Sequence, residues 1–280
     1  MCNISFVILH YNNLKDTREC VQSLKKYLSD ENVNIVIVDN GSPQEKAQVL
    51  KEKFDSSQIY FINSKVNLGF ARGNNLGYRF AKYKLNADVI ILTNNDTIYS
   101  QKNFITLLKK HYRAGFDIAG PRIVGINKKY RYNQNPLPVQ FKNMNDLKLR
   151  IFKLHVLYAL SFFNLDIIAQ NIFGKKVIEN VRKDKDFQLH GACLFFSGEY
   201  LKKFDGLYNG TFMYGEEDIL KYRARRYNLT MKYFDDLWIK HKGGATTDKQ
   251  HGNGIKKRQF YYRWSIDSYN KLKKIMKEDN

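Results

Sequence analysis

Several apolar runs in this 280-residue chain end abruptly in polar side chains, and those endings are where chemistry can sit. Asn94-Asn95-Asp96 follows Val89-Ile90-Ile91-Leu92, so Asp96 offers hard oxygen donors of the kind Mg²⁺ or Mn²⁺ prefers, or else simply caps a turn. Asp39, closing the run Val33 to Val38, can accept hydrogen bonds from a ribose or from the imide N–H of a pyrimidine base. It can equally form an Asx-turn with Asn40-Gly41-Ser42, and the two roles are compatible. Glu216-Glu217-Asp218 opens a helical pattern with more acid than the helix dipole needs. Crowding among three carboxylates tends to raise the pKa of one toward the range of a working general base.

Asn67-Leu68-Gly69-Phe70-Ala71-Arg72-Gly73-Asn74-Asn75 has a different character. Gly69 and Gly73 permit close approach of a ligand to the backbone, the following helix start favours anions, and Arg72 adds a charge suited to a diphosphate. An ordinary strand-to-helix turn would look similar. Gly191 and Ala192 are small enough to leave room for a sugar ring beside the backbone, or for a neighbouring strand. Cys2, Cys20 and Cys193 have neither metal-ligand spacing nor the numbers for a disulfide framework, which points to a reducing, cytoplasmic setting.

These residues need elements that bring them to one edge. Strands are expected at Ile4 to Leu9, Val33 to Val38, Gln58 to Ile62 and Asp88 to Thr93, with helices at Leu14 to Leu28, Gln44 to Phe54 and Asn74 to Tyr83. That alternation builds a parallel α/β sheet, in which ligands lie beyond the carboxyl ends of the strands. His10-Tyr11-Asn12, Asp39 and Asn94-Asn95-Asp96 all fall there. Further on, a helix over Asn103 to Arg113, a strand over Ile118 to Val124, a helical stretch over Phe141 to Lys176 and a strand over Gln188 to Ser197 are expected. A helix over Gly215 to Arg226, a strand over Met231 to Lys240 and a basic amphipathic helix over Gly254 to Lys277 complete the pattern.

Val38 to Ser42, Asn67 to Asn75, Asn94-Asn95-Asp96, His190-Gly191-Ala192, Gly215 to Asp218 and His241-Lys242-Gly243-Gly244, in that order, resemble glycosyltransferase family 2, in particular its rhamnosyltransferase-like bacterial branch. The resemblance implies the GT-A fold, with a Rossmann-like nucleotide-binding half and a mostly parallel central sheet, and inverting transfer from a UDP- or dTDP-sugar. It implies Asp218 as catalytic base, Glu217 with His190, Gly191 and Ala192 at the acceptor, and Asp96 and His241 as ligands of Mn²⁺ or Mg²⁺. His10, Tyr11, Asn12, Asp39, Asn67, Gly69, Arg72, Gly73, Asn75, Asn94 and Asn95 would line the donor. Asn94 stands where such enzymes usually carry a first Asp, leaving one carboxylate for the metal. A sugar nucleotidyltransferase would instead show a glycine-rich N-terminal loop, whereas His10-Tyr11-Asn12-Asn13 follows Leu9; a non-catalytic carbohydrate- or nucleic-acid-binding protein has no need of the acidic triplet.

Charge divides the chain further. Residues 1–100 carry 12 Lys+Arg and 10 Asp+Glu, whereas residues 101–280 carry 35 and 17, out of a formal net charge of +20. The expected layout is a GT-A unit over 1–244, with donor half 1–100, acceptor half 101–244 and a helical insertion at about 141–176, followed by a basic extension over 245–280. No zinc spacing, RNP motif or helix-turn-helix supports nucleic-acid binding. The N-terminus has no basic leader and no segment has about 18 uninterrupted apolar residues, so neither a signal peptide nor a membrane span is expected. The basic helices suit an anionic membrane surface carrying a lipid-linked saccharide acceptor, a solvated surface, or, for 147–172, a homo-oligomer interface.

Overall fold

The computed structural model describes residues 2–27, 29–30, 32–126, 133–172, 186–243 and 254–278. Val/Ile/Leu-rich runs form the buried strands β1 (Ile4–His10), β2 (Val33–Asp39) and β4 (Val89–Asn94), and the half-buried edge strand β3 (Ile59–Asn63). β1 pairs in parallel with both β2 and β4, and β2 with β3, so Leu9, Val38 and Asn94 end at one level of the sheet. α1 (Leu14–Leu24) and α2 (Phe70–Tyr83) cover opposite faces of this half.

The second half continues the sheet in mixed sense. After β5 (Thr97–Ile98) and α3 (Phe104–Arg113), β6 (Ile118–Gly125) joins the sheet. β7 (Leu137–Pro138), α4 (Met144–Ser161), α5 (Asp166–Ile172) and β8 (Phe187–Gln188) form an excursion, β7 and β8 pairing as a separate ribbon. β9 (Cys193–Phe196) runs antiparallel between β4 and β6. α6 (Gly198–Lys203) and α7 (Glu216–Arg226) lead to β10 (Met231–His241), parallel to β6 and edged by β5. The eight strands are ordered β3-β2-β1-β4-β9-β6-β10-β5 among the described residues. α8 (Ile255–Glu278) follows.

Three expected elements differ. Of the helix over Gln44 to Phe54 only a 3₁₀ turn at Ala47–Leu50 forms, because side chains take the backbone groups a helix would use. Asp39 accepts from the N–H groups of Ser42 and Ala47, and the His10 ring engages the Glu45 carbonyl. The helical stretch Phe141 to Lys176 is two helices, broken where Asn164 takes φ +58°, and residues 173–176 lie outside the described ones. The strand over Gln188 to Ser197 is interrupted at residues 189–192. There Gly191 donates its N–H to Glu217 Oε1 (3.1 Å) and Ala192 donates to the His190 ring, so neither donor is left for a ladder.

The apolar stripe of α8 is not a free face. Tyr262, Ile266, Tyr269 and Leu272 pack against Leu147, Ile151 and Leu154 of α4 and Ile219 of α7 in a third core beside the sheet. Burying side chains of this size contributes roughly 1.5–3 kcal/mol each. At the far end, buried Asp166 accepts from Arg258 Nε (2.6 Å) and Tyr262 Oη (2.8 Å), tying α5 to α8.

Candidate active site

On the donor side, the loops at the carboxyl ends of β1, β2 and β3 hold one another. Asn12 takes φ +46°, receives the N–H groups of Gln44 and Glu45 on its Oδ1, and donates its own N–H to Ser42 Oγ (3.0 Å). His10 is fully buried, with Nδ1 on Thr17 Oγ1 (2.7 Å) and Nε2 on the Glu45 carbonyl (2.5 Å). Both ring nitrogens are used, so the expected ligand contact of His10 is corrected to a structural one. Burial also lowers its pKa. Asp39 spends an oxygen each on the N–H groups of Ser42 (2.9 Å) and Ala47 (2.7 Å), yet forms part of a pocket of about 520 Å³ with Gly41, Ser42, Lys46, Asn63 and Lys65. Tyr11 stands half-buried on the adjoining loop.

Asn40 joins this layer to the next. Its amide donates to Asn67 Oδ1 (3.0 Å) and the Gly69 carbonyl (3.1 Å) and accepts from the Leu68 N–H (3.0 Å). Gly69 starts α2 with φ +82°, and a Cβ there would lie 2.1 Å from the Phe212 carbonyl oxygen, so only glycine fits. Gly73 packs against Leu9 and Asn40. Arg72 is exposed, its Nε donating to the Leu68 carbonyl (3.0 Å). Asn75 faces inward: it donates to the Leu207 carbonyl and accepts from the Leu207 N–H, both at 2.8 Å, which corrects its expected donor contact to a clamp between the halves.

At the end of β4 the three polar residues divide their work. Asn95 is buried and donates to Thr17 Oγ1 (3.0 Å), a structural role in place of the expected donor contact. Asn94 is half-buried at the strand end, its N–H on the Ala192 carbonyl. Asp96 is buried, and its Oδ1 faces His241 Nε2 at 3.2 Å, but neither atom completes a hydrogen bond. His241 Nδ1 lies 2.8 Å from Gln134 Oε1, an acceptor, so the ring proton belongs on Nδ1 and Nε2 presents a lone pair to the carboxylate. In the neutral ring two buried lone-pair donors face each other, an arrangement that either a proton on Nε2 or a divalent cation with oxygen and imidazole ligands would satisfy. Among the described residues no three His, Cys, Asp or Glu side chains cluster in this way. The His190 ring lies 5.6 Å from that of His241, and burial above all pushes its pKa down to about 4. Lys242 Nζ reaches back to Asp16 (2.6 Å) and Glu19 (2.5 Å) of α1, fixing the chain after His241, while Gly244 lies outside the described residues.

The acidic triplet sits at the left-handed Gly215 that opens α7. Glu217 fills the space beside Gly191 and accepts its N–H; a Cβ on Gly191 would lie 2.7 Å from that carboxylate. The room foreseen beside Gly191 is therefore occupied by Glu217. Glu216 accepts from Thr211 Oγ1 (3.1 Å), and burial with the Glu217 charge raises its pKa to about 8. Asp218 accepts from Tyr269 Oη (3.0 Å), and burial, then Glu217, raises it to about 7, against the lowering effects of Tyr269, Gln188 and Arg150. It is a wall of a second pocket, of about 410 Å³. The segment 188–192 links the centres, with Gln188 at Asp218, Gly191 at Glu217 and His190 beside His241.

The sequence profile of glycosyl transferase family 2 matches residues 5–203. The chain belongs to this family. It is 25% identical over 231 residues to the low-salt glycan biosynthesis hexosyltransferase Agl10 of Haloferax volcanii, covering 82% of this chain but 64% of that one. Residues 1–349 of S. aureus TarS share the fold at TM-score 0.55 and 14% identity, over 86% of this chain and 60% of that structure. This family 2 chain thus spans under two thirds of the length of both, and its α/β architecture with a largely parallel sheet is the GT-A fold.

Some residues of the candidate site escape a reading by spacing. Tyr269 falls in the apolar stripe of α8, where nothing distinguishes its hydroxyl from a core aromatic. Asn40, Gln188 and Arg150 matter through partners 28 to 111 positions away. Lys242 had a signal, its place beside His241.

Proposed function

We propose that this protein is an inverting glycosyltransferase using a nucleoside-diphosphate sugar, of the UDP or dTDP type, and a saccharide hydroxyl as acceptor. The observation that carries the reading is Asp218: a buried carboxyl raised to about 7, on a pocket wall, joined through residues 188–192 to the Asp96–His241 pair. The acceptor oxygen attacks the anomeric carbon and gives its proton to Asp218. The bond from that carbon to the diphosphate breaks on the opposite side, with its electron pair leaving on the nucleotide, so configuration inverts. Glu217, fixed by the Gly191 N–H, orients the acceptor beside Asp218. The pocket at Asp39 takes the base and ribose, and Arg72 favours the diphosphate. Asp96 and His241 would hold Mn²⁺ or Mg²⁺, which when bound neutralises charge on the leaving diphosphate.

The same reading places the enzyme at an anionic membrane surface. No described helix is long and apolar enough to cross a membrane. The α4–α5 corner nevertheless exposes Phe152, Phe162, Phe163, Ile167 and Ile168, with Phe163 77% exposed. A second copy would bring the same positive excess to this face, whereas anionic lipid complements it. Phe162→Ser/Phe163→Ser should abolish co-sedimentation with phosphatidylglycerol vesicles; sedimentation that persists, or a dimer by light scattering that the variant dissolves, would overturn this placement.

The central test is a thermal-shift screen of UDP- and dTDP-sugars with and without Mn²⁺, followed by transfer assays with the stabilising donor. A metal-dependent shift with one donor class is expected, and no shift with any of them refutes the proposal.

A further inference from the structure

Asn133-Gln134-Asn135, between β6 and β7, belongs to none of the motifs read from the sequence, yet its three amide side chains reach β6, β10 and the segment that carries His190. Asn133 Oδ1 accepts from the N–H groups of Ile123 and Asn135 (both 3.1 Å), and its Nδ2 donates to Tyr233 Oη (2.8 Å). Asn135 is fully buried; its Nδ2 donates to the Pro121 carbonyl (2.7 Å) and its Oδ1 accepts from the His190 N–H (3.1 Å). Between these two anchors Gln134 donates its N–H to the Ile123 carbonyl (2.8 Å) and turns its side chain to His241. The backbone around His241 is fixed as well. His241 pairs with Thr97 of β5, its carbonyl accepts from the Ile126 N–H (3.1 Å), and Lys242 donates its N–H to the Asp96 carbonyl (3.0 Å). What remains free is the turn of the ring about χ2 and the choice of which nitrogen carries the proton. Those two choices decide whether a lone pair or an N–H meets Asp96 Oδ1, which lies 3.2 Å from Nε2.

We infer that Gln134 is a positioning residue: by accepting the Nδ1–H of His241 on its Oε1, it keeps Nε2 free to hold a divalent cation together with Asp96. The inference rests on the proposed metal role of Asp96 and His241, and on nothing about the sugar or its acceptor. Gln134 Oε1 lies 2.8 Å from Nδ1, whereas Asp96 Oδ1 and His241 Nε2, both buried, have no hydrogen-bond partner among the described residues. An acceptor on the far nitrogen also raises the basicity of the near one and strengthens it as a metal ligand. A glutamine can serve the reverse arrangement too, because turning its amide over would offer an N–H to Nδ1 and place the ring proton opposite Asp96. Glutamate has acceptors only and admits the Nδ1–H ring alone. Methionine has nearly the same length but no N–H and only a weak acceptor. The identity of residue 134 therefore controls which nitrogen faces the carboxylate.

The test needs neither donor nor acceptor. Long-range proton–nitrogen NMR spectra of the metal-free full chain, labelled in its histidine nitrogens and held at about pH 8, where an ordinary imidazole is neutral, report the tautomer of each ring. His241→Gln identifies the signal. Mn²⁺ affinity is read in parallel from the electron paramagnetic resonance of the free ion. The wild type should carry its ring proton on Nδ1. Gln134→Met should move that proton toward Nε2 and weaken Mn²⁺ binding about tenfold. Gln134→Glu, nearly isosteric, should keep the Nδ1–H ring and bind Mn²⁺ at least as tightly as the wild type, so a Gln134→Met chain that fails to fold does not close the test. A proton on Nε2 of the wild type, in the other tautomer or in an imidazolium, would overturn the inference, as would a Gln134→Glu variant that binds Mn²⁺ more weakly. If the wild type has the Nδ1–H ring but takes up no Mn²⁺, the metal reading of Asp96 and His241 fails and this inference falls with it. If Mn²⁺ binds the wild type and Gln134→Met alike, the metal reading stands and this inference alone fails.

Discussion

The two halves of the molecule treat polar side chains in opposite ways. In residues 1–100 nearly every buried polar group of the loops is spent on its neighbours: His10 on Thr17 and Glu45, Asp39 on two backbone N–H groups, Asn40 on the loop before α2. In residues 101–280 the carboxylates of buried Glu216 and Asp218 and half-buried Glu217 follow one another at the start of α7, and their pKa values rise. Asp96, at the junction, keeps an oxygen without a hydrogen-bond partner. A satisfied network fixes the shape of a binding surface, whereas crowded carboxylates and unpartnered lone pairs are held ready for a proton or a cation.

The largest test of that contrast is Asp218→Asn, which should lower transfer by about 10²–10⁴-fold while leaving UDP affinity intact, as measured by turnover and calorimetry side by side. Next, Asp96→Asn or His241→Ala should weaken metal-dependent nucleotide binding by about 10–100-fold. EDTA should remove the difference from the wild type, and equal affinities in Mn²⁺ would count against the pair. On the donor side the effect should be on stability: Asn40→Ala leaves the Leu68 N–H and Gly69 carbonyl without their partner and should cost about 2 kcal/mol in urea unfolding.

Asp218→Asn should also stabilise the protein at alkaline pH. Asp218 is raised from 3.8 to about 7 on folding, so the unfolded chain releases this proton first and stability falls as pH rises between those values. Above pH 7 the full penalty stands, and the variant, which cannot ionise, should be more stable by up to about 4 kcal/mol at pH 8 and little changed at pH 4. The smallest effect is that of Tyr269→Phe. Its hydroxyl lowers the pKa of Asp218, so its removal should move the rising limb of the pH–rate profile to higher pH by about one unit or less. A uniform loss of rate at every pH would make Tyr269 a packing residue only.

Much of the fold was legible because the signals were local. Predominantly apolar runs gave β1, β2 and β4, and polar residues directly after them gave the edge where Asp39 and Asp96 stand. Where a side chain captured backbone groups, the local pattern misled, as at Ala47–Leu50 and at 189–192. The stripe of α8 was visible by period, but period cannot tell a face turned to lipid from one turned to α4.

The sequence by itself determined the family, the order of the α/β units and the types of chemical group at their ends, since each depends on neighbours within a few positions. Tertiary structure alone decided which of those groups were spent. Asn75 was claimed by Leu207, 132 residues away, and the space beside Gly191 by Glu217, 26 residues away. Asp218 met Tyr269 across 51 residues. Burial and long-range hydrogen bonding set the ionisation and availability of a side chain, and neither is a property of its local sequence.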